Sequence, residues 1–224
     1  MRDLQENIIP AAGQNDDNFY PFEGSGIRVL FAGNSITKHA PKPEVGWTND
    51  CGMAATSIDK DYVHLMVEMI RQYDPNVSYA IAQVADFERQ FFTMDPAVDY
   101  KRAGDFDADI IIMFFGANVD KAYDVMDNPP VRFGDAYENM RNLLNKSGRA
   151  KVFHSEGFYI RPRLNEEKRA AAERLGDTYI ELGEIVTRED THGMFNHPGD
   201  VGMQAIADRF WQFVEPEVKR LTGK

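Results

Sequence analysis

The stretch that most constrains this chain is Ile110-Ile-Ile-Met-Phe-Phe115, an unbroken apolar run led in by Asp109 and closed by Gly116. Successive side chains of a strand point to opposite faces, so a run apolar at every position must be covered on both sides. Such a strand belongs in the middle of a parallel sheet. Ile27-Arg-Val-Leu-Phe-Ala32, ending at Gly33, gives a second buried-strand signal, and residues 77–84, 151–155 and 178–185 give three more. Residues 1–25, with Pro10, Pro21 and several Gly and Asn, read as an irregular N-terminal segment, leaving 26–224 as one domain.

Helical periodicity fills the gaps between these strands. Residues 60–73 repeat Tyr62, Met66, Met69 and Tyr73 at helical spacing, with Asp59 placed to cap the start. Residues 133–146 read as a helix stopped by Ser147-Gly148, and 165–175 as an Ala- and Glu-rich helix. Residues 200–221 close the chain with Met203, Ala207, Phe210 and Val214 on one face, and Pro216 is expected to kink or break this helix near its end. Strand and helix alternate, which predicts an α/β fold with a parallel sheet covered on both faces and ligands at the carboxyl ends of the strands.

Charge narrows the partners. A formal charge of −11 repels polyanions, so neither nucleic acid nor an anionic membrane is expected as a partner. Cys51 is the only cysteine, which excludes an internal disulfide and a multi-cysteine metal cage. The N-terminus shows no basic patch followed by an apolar run, and the longest apolar stretch is too short to span a bilayer, so a cytoplasmic address is expected. Nothing in the sequence fixes the oligomeric state.

The chemistry-bearing residues fall at the ends of predicted strands. Gly33-Asn34-Ser35-Ile36-Thr37 follows the first strand directly, on the sheet edge where a hydroxyl could act as a nucleophile; a helix cap or turn is the alternative role of Ser35. A serine needs a base, and His197 lies in the loop Asn196-His-Pro-Gly-Asp200 before the last helix. His64, His154, His39 and His192 are read as structural or surface residues. Asn118, just beyond the third strand, could turn its amide toward developing negative charge, and Gly52 could bring a backbone N–H close to a substrate oxygen; both could equally be turn residues. Asp190, His192, His197 and Asp200 are close enough in sequence to consider as metal ligands, but the histidine spacing suits no helical ligand pair and the other blocks would have no role, so neither a metal nor another cofactor is expected.

Taken in order, the blocks at Gly33–Thr37, around Gly52, at Gly116-Ala-Asn118 and at His197-Pro-Gly-Asp-Val-Gly-Met203 resemble the SGNH/GDSL hydrolases over most of the chain. The resemblance implies a flavodoxin-like three-layer α/β/α sandwich. It also implies Ser35 as nucleophile, His197 as base, and Ser35 N–H, Gly52 N–H and the Asn118 side chain as oxyanion donors. Two positions depart from the pattern: Asn34 stands where aspartate is usual in the serine block, and Met194 where an aspartate usually precedes the histidine. The missing acid predicts a dyad with His197 oriented by a backbone carbonyl just before it, against the competitors Glu189, Asp190 and Asp200, the last of these read as the N-cap of the final helix. Gly46-Trp-Thr-Asn-Asp-Cys-Gly-Met-Ala-Ala55 and Asp61-Tyr-Val-His64 look most like the carbohydrate-directed members, which implies removal of acetyl groups from a small or oligosaccharide ester. Trp47 and Asn34 are the candidate substrate contacts, Trp47 as a flat face for a sugar ring or else a core residue; Phe158 and Tyr159 could also line the cleft but read first as packing residues. A lipid ester, an acyl thioester, or sugar binding without catalysis are the alternatives.

Overall fold

The computed structural model describes residues 18–224. Six strands, β1 (Phe19–Phe22), β2 (Arg28–Gly33), β3 (Ser78–Gln83), β4 (Ile110–Phe114), β5 (Lys151–Ser155) and β6 (Thr178–Ile180), form one sheet in the order β1-β3-β2-β4-β5-β6. All neighbours from β3 to β6 run parallel, and only β1 is antiparallel. Counted among the parallel strands alone the order is 2-1-3-4-5, the flavodoxin-like winding, whose switch point lies between β2 and β4.

The apolar runs dictate the layers. Every residue of β4 is buried, Ile110, Ile112 and Phe114 in one core and Ile111 and Met113 in the other. Helices α1 (Tyr62–Arg71) and α7 (Asp200–Thr222) cover the first face, α7 contributing Met203, Ile206, Phe210, Val214 and Val218. Helix α5 (Phe133–Leu144) and helix α6 (Pro162–Leu175) cover the second, through Tyr137, Met140, Leu164 and Ala171, with the short helices α2 (Ala85–Gln90), α3 (Pro96–Asp99) and α4 (Lys101–Asp105) beside them. No helix among the described residues is long and apolar enough to cross a membrane.

Several local expectations are corrected. Phe19–Phe22 is a strand rather than irregular chain: Phe22 stacks on Tyr79 with centroids 4.4 Å apart, and Pro21 is tolerated because β1 is an edge strand. The rest of the N-terminal segment, 1–17, lies outside the described residues. Asp61, not Asp59, caps α1, its carboxylate accepting the His64 N–H at 2.8 Å. The predicted last strand stops at Ile180 because the Leu182 and Gly183 N–H groups turn to the Glu156 carboxylate. Helix α7 runs on through Pro216 to Thr222, held by Val214 and Val218, which are both fully buried on either side of the proline. Its N-cap is Gly199; Asp200 is the first helical residue and uses its carboxylate to accept from the Thr56 N–H and hydroxyl at 2.8 and 2.7 Å.

Candidate active site

Ser35 lies two residues beyond the end of β2 and Asn118 four beyond the end of β4, so the switch point gathers both at one carboxyl edge. A single turn after the strand, in which Thr37 and Lys38 donate to the Asn34 carbonyl at 2.9 and 3.0 Å, fixes the serine. From the other end of the chain the loop before α7 brings His197, whose Nε2 lies 2.9 Å from Ser35 Oγ. His197 Nδ1 lies 3.1 Å from the Phe195 carbonyl. A carbonyl can only accept, so it takes the Nδ1 hydrogen and leaves the Nε2 lone pair facing the serine hydroxyl. The ring is 3% exposed. Burial, which disfavours the imidazolium, lowers its pKa to about 4 against a smaller opposing effect of the Phe195 carbonyl.

The backbone around this pair is strained. Phe195 and Asn196 sit at φ 57 and 60, and Ala54, packed close to the histidine loop, at φ 77; the described chain has only two other non-glycine residues with positive φ. Left-handed conformation at Phe195 is what turns its carbonyl back onto the ring of a residue two further on, a cost that such sites commonly carry. None of the three competing acids approaches His197: Asp190 pairs with Arg188 at 2.7 Å, Asp200 is bound to Thr56 and Lys60, and Glu189 is exposed on a short 3-10 turn. The would-be metal ligands Asp190, His192 and Asp200 are likewise engaged elsewhere, His192 Nε2 lying 3.3 Å from the Val186 carbonyl. Of the remaining histidines, His154 is buried between the Tyr137 hydroxyl and Asp177, His64 lies 2.7 Å from Asp61, and His39 is buried beside the Ala40 carbonyl.

Folds with this layout occur in known esterases. A chain from Bacteroides uniformis described as a GDSL-like lipase matches with TM-score 0.57 and 15% identity, covering 86% of this chain and 97% of that one. An acetyl-xylooligosaccharide esterase from Geobacillus, in the form of a single-residue mutant, matches with TM-score 0.54 and 18% identity, covering 87% and 95%. A family two carbohydrate esterase from Clostridium thermocellum, in complex with cellohexaose, matches with TM-score 0.60 and 13% identity, covering 88% and 66%. The chain has the SGNH hydrolase fold. No protein-family model and no curated protein matches its sequence.

Within the SGNH fold three of the expected site residues are placed differently. The Gly52 N–H donates to the Asp61 carboxylate at 3.0 Å and is therefore not free for a substrate oxygen. Glycine is needed there for packing, since a Cβ would come within 2.5 Å of the Ile36 carbonyl oxygen. Trp47 is 3% exposed, lies in the core and donates its indole N–H to the His39 carbonyl at 3.2 Å, so it offers no face to a sugar. Asn34 is also buried, its Nδ2 donating at 2.9 Å to Glu88 and its Oδ1 accepting the Ile36 N–H, so it is turned into the protein and not toward a cleft. Phe158 is core; Tyr159, partly buried, stands edge-on to the His197 ring at 6.0 Å between centroids.

Asn118 is partly exposed on the same edge as Ser35. One hydrogen of its Nδ2 goes to Glu88, which leaves the second for a ligand. The Ser35 N–H meets no acceptor among the described residues. Gly116, at φ 130, is required by the turn that leads from β4 to Asn118, a backbone region that side chains rarely adopt. Two buried ionisable groups flank this turn and were not legible as site residues: Glu88 on α2 and Lys168 on α6. Burial raises the Glu88 pKa, partly offset by its hydrogen bonds from Asn118, Asn34 and Gly116. Burial lowers that of Lys168 to about 7, against the pull of Glu88 and Glu156.

Proposed function

We propose that this protein is a serine esterase that removes small acyl groups, acetyl in the first instance, from carbohydrate. The observation that carries the reading is the 2.9 Å approach of Ser35 Oγ to the unprotonated face of a histidine whose other nitrogen is tied to a carbonyl. Ser35 Oγ attacks the ester carbonyl as His197 Nε2 takes its proton, and the oxyanion is met by the Ser35 N–H and the free Asn118 Nδ2 hydrogen. His197 returns the proton to the departing alcohol, leaving an acyl-serine. Water, deprotonated by the same histidine, then releases the acid and restores the hydroxyl. The carbohydrate part of the proposal is supported by the fold neighbours that are carbohydrate and acetyl-xylooligosaccharide esterases. With Trp47 in the core, the partly buried Tyr159 beside His197 is an aromatic side chain that could border a sugar ring.

A second reading, a more apolar ester, is favoured by Ile160, Met194 and Val201, which are exposed on the segments that carry Tyr159 and His197. A panel of acetylated oligosaccharides and p-nitrophenyl esters of increasing chain length distinguishes the two. Loss of acetyl mass from a sugar, with activity falling as the acyl chain grows, is expected. A preference for long acyl chains supports the second reading, and an inert panel with saturable sugar binding would overturn the esterase proposal.

A further inference from the structure

Asn34 leaves the serine loop without the carboxylate that the resembled pattern carries, yet a carboxylate is present beside it, brought in from α2. Glu88 is fully buried. Its Oε1 accepts from Asn34 Nδ2 at 2.9 Å and from the Gly116 N–H, and its Oε2 accepts from Asn118 Nδ2. One side chain thus joins the loop of the nucleophile, the turn after β4 and the proposed oxyanion donor. A carboxylate accepts and never donates, so it selects the amide flip in which both asparagines present nitrogen to it. With one Asn118 hydrogen captured, the other is fixed in the amide plane.

The opposite side of the turn is held by a buried lysine amine. Lys168 Nζ donates to the carbonyls of Phe115 at 3.1 Å and Ser155 at 2.9 Å, and lies 3.6 Å from where a Cβ on Gly116 would stand. Residues 115–118 therefore run between a buried carboxyl group and a buried amine. Burying such groups is seldom favourable for stability alone.

We propose that Glu88 is a positioning residue that ties the turn after β4 to the serine loop and fixes the Asn118 amide as an oxyanion donor. This rests on the esterase reading above. Glu88→Gln puts a donor against donors, so Asn118 must flip or lose its partner. The expected result is a kcat lower by about a hundredfold, the size of a lost oxyanion donor, with KM changed less than about threefold. Because Glu88 acts through Asn118, the same substitution in an Asn118→Ala background is expected to cost less than about threefold more. An equal loss in both backgrounds would show a general structural effect and overturn the proposal.

The side-chain amide of Asn118, identified in NMR spectra by its loss in Asn118→Ala, reads the hydrogen bond without turnover. It is expected to be protected from exchange in the native protein and to exchange freely in Glu88→Gln; equal protection in both overturns the proposal. Should the native protein hydrolyse no ester, the esterase reading fails and this amide alone decides whether Glu88 holds Asn118. Should Glu88→Gln not fold, Glu88→Asp serves instead: it keeps the charge, withdraws the carboxylate by one methylene, and is expected to give a smaller kcat loss that again vanishes in the Asn118→Ala background.

Discussion

Lowering the pH protonates His197, and the structure sets where that happens. An ordinary histidine titrates near 6.5, whereas burial lowers this one to about 4. At pH 5.5 an ordinary histidine would be neutral in about a tenth of molecules, while His197 would be neutral in nearly all of them. Only the neutral ring can take the serine proton, so kcat/KM is expected to stay near its plateau down to about pH 5 and to fall with a midpoint near 4. The assay is kcat/KM for a short p-nitrophenyl ester across the acid range, with product quantified after neutralisation. A midpoint near 6.5 would refute the reasoning, because it would mean that the ring is solvated or charge-paired in solution. The same shift has a consequence for stability. The folded-state pKa lies below the unfolded one, so protons favour the unfolded chain, and stability is lost as pH falls from 6.5 toward about 4. At ~1.4 kcal/mol per unit the loss over that window is about 3 kcal/mol, and it should be smaller in a folded His197→Gln variant.

Trp47→Ala is expected to lower stability by about 3–5 kcal/mol in denaturant unfolding, as for other buried tryptophans, without raising KM selectively for oligosaccharide over a small ester; a selective KM increase at unchanged stability would restore it as a sugar contact. Alanine at Glu189, Asp190 or Asp200 is expected to leave kcat within about tenfold of the native value, whereas a fall of about ten-thousandfold in a folded variant would identify a triad acid and dismiss the dyad.

What could be read in the sequence, and what could not, follows from the range of the interactions. The runs at 27–32 and 110–115 gave their own strands because every residue in them but Arg28 is apolar, and the sheet edge that carries Ser35 and Asn118 followed from those two alone. The carbonyl partner of His197 was also legible, since it is local and the loop lacks an acid three residues before the ring. Strand β1 was hidden by Pro21 and by its dependence on a distant partner in β3. Helix α2 is six residues long, too short for periodicity to show, and Glu88 on it looks like any helical glutamate until Asn34, Gly116 and Asn118 are brought around it. The errors at Trp47 and Gly52 have a common origin. Each lies in a polar loop and has a plausible surface role, but the His39 carbonyl takes the indole N–H and Asp61 takes the glycine N–H, contacts that only the folded chain displays.

The measurement that bears most directly on the account is the site of acylation. The protein, quenched in acid during turnover of an activated acetyl ester, is digested and the peptides weighed. The account predicts one added acetyl group on the peptide containing Ser35, lost on continued incubation, absent from Ser35→Ala and accompanied there by loss of hydrolysis. Undiminished hydrolysis by Ser35→Ala, or an acetyl group that turns over on any other residue, would contradict it.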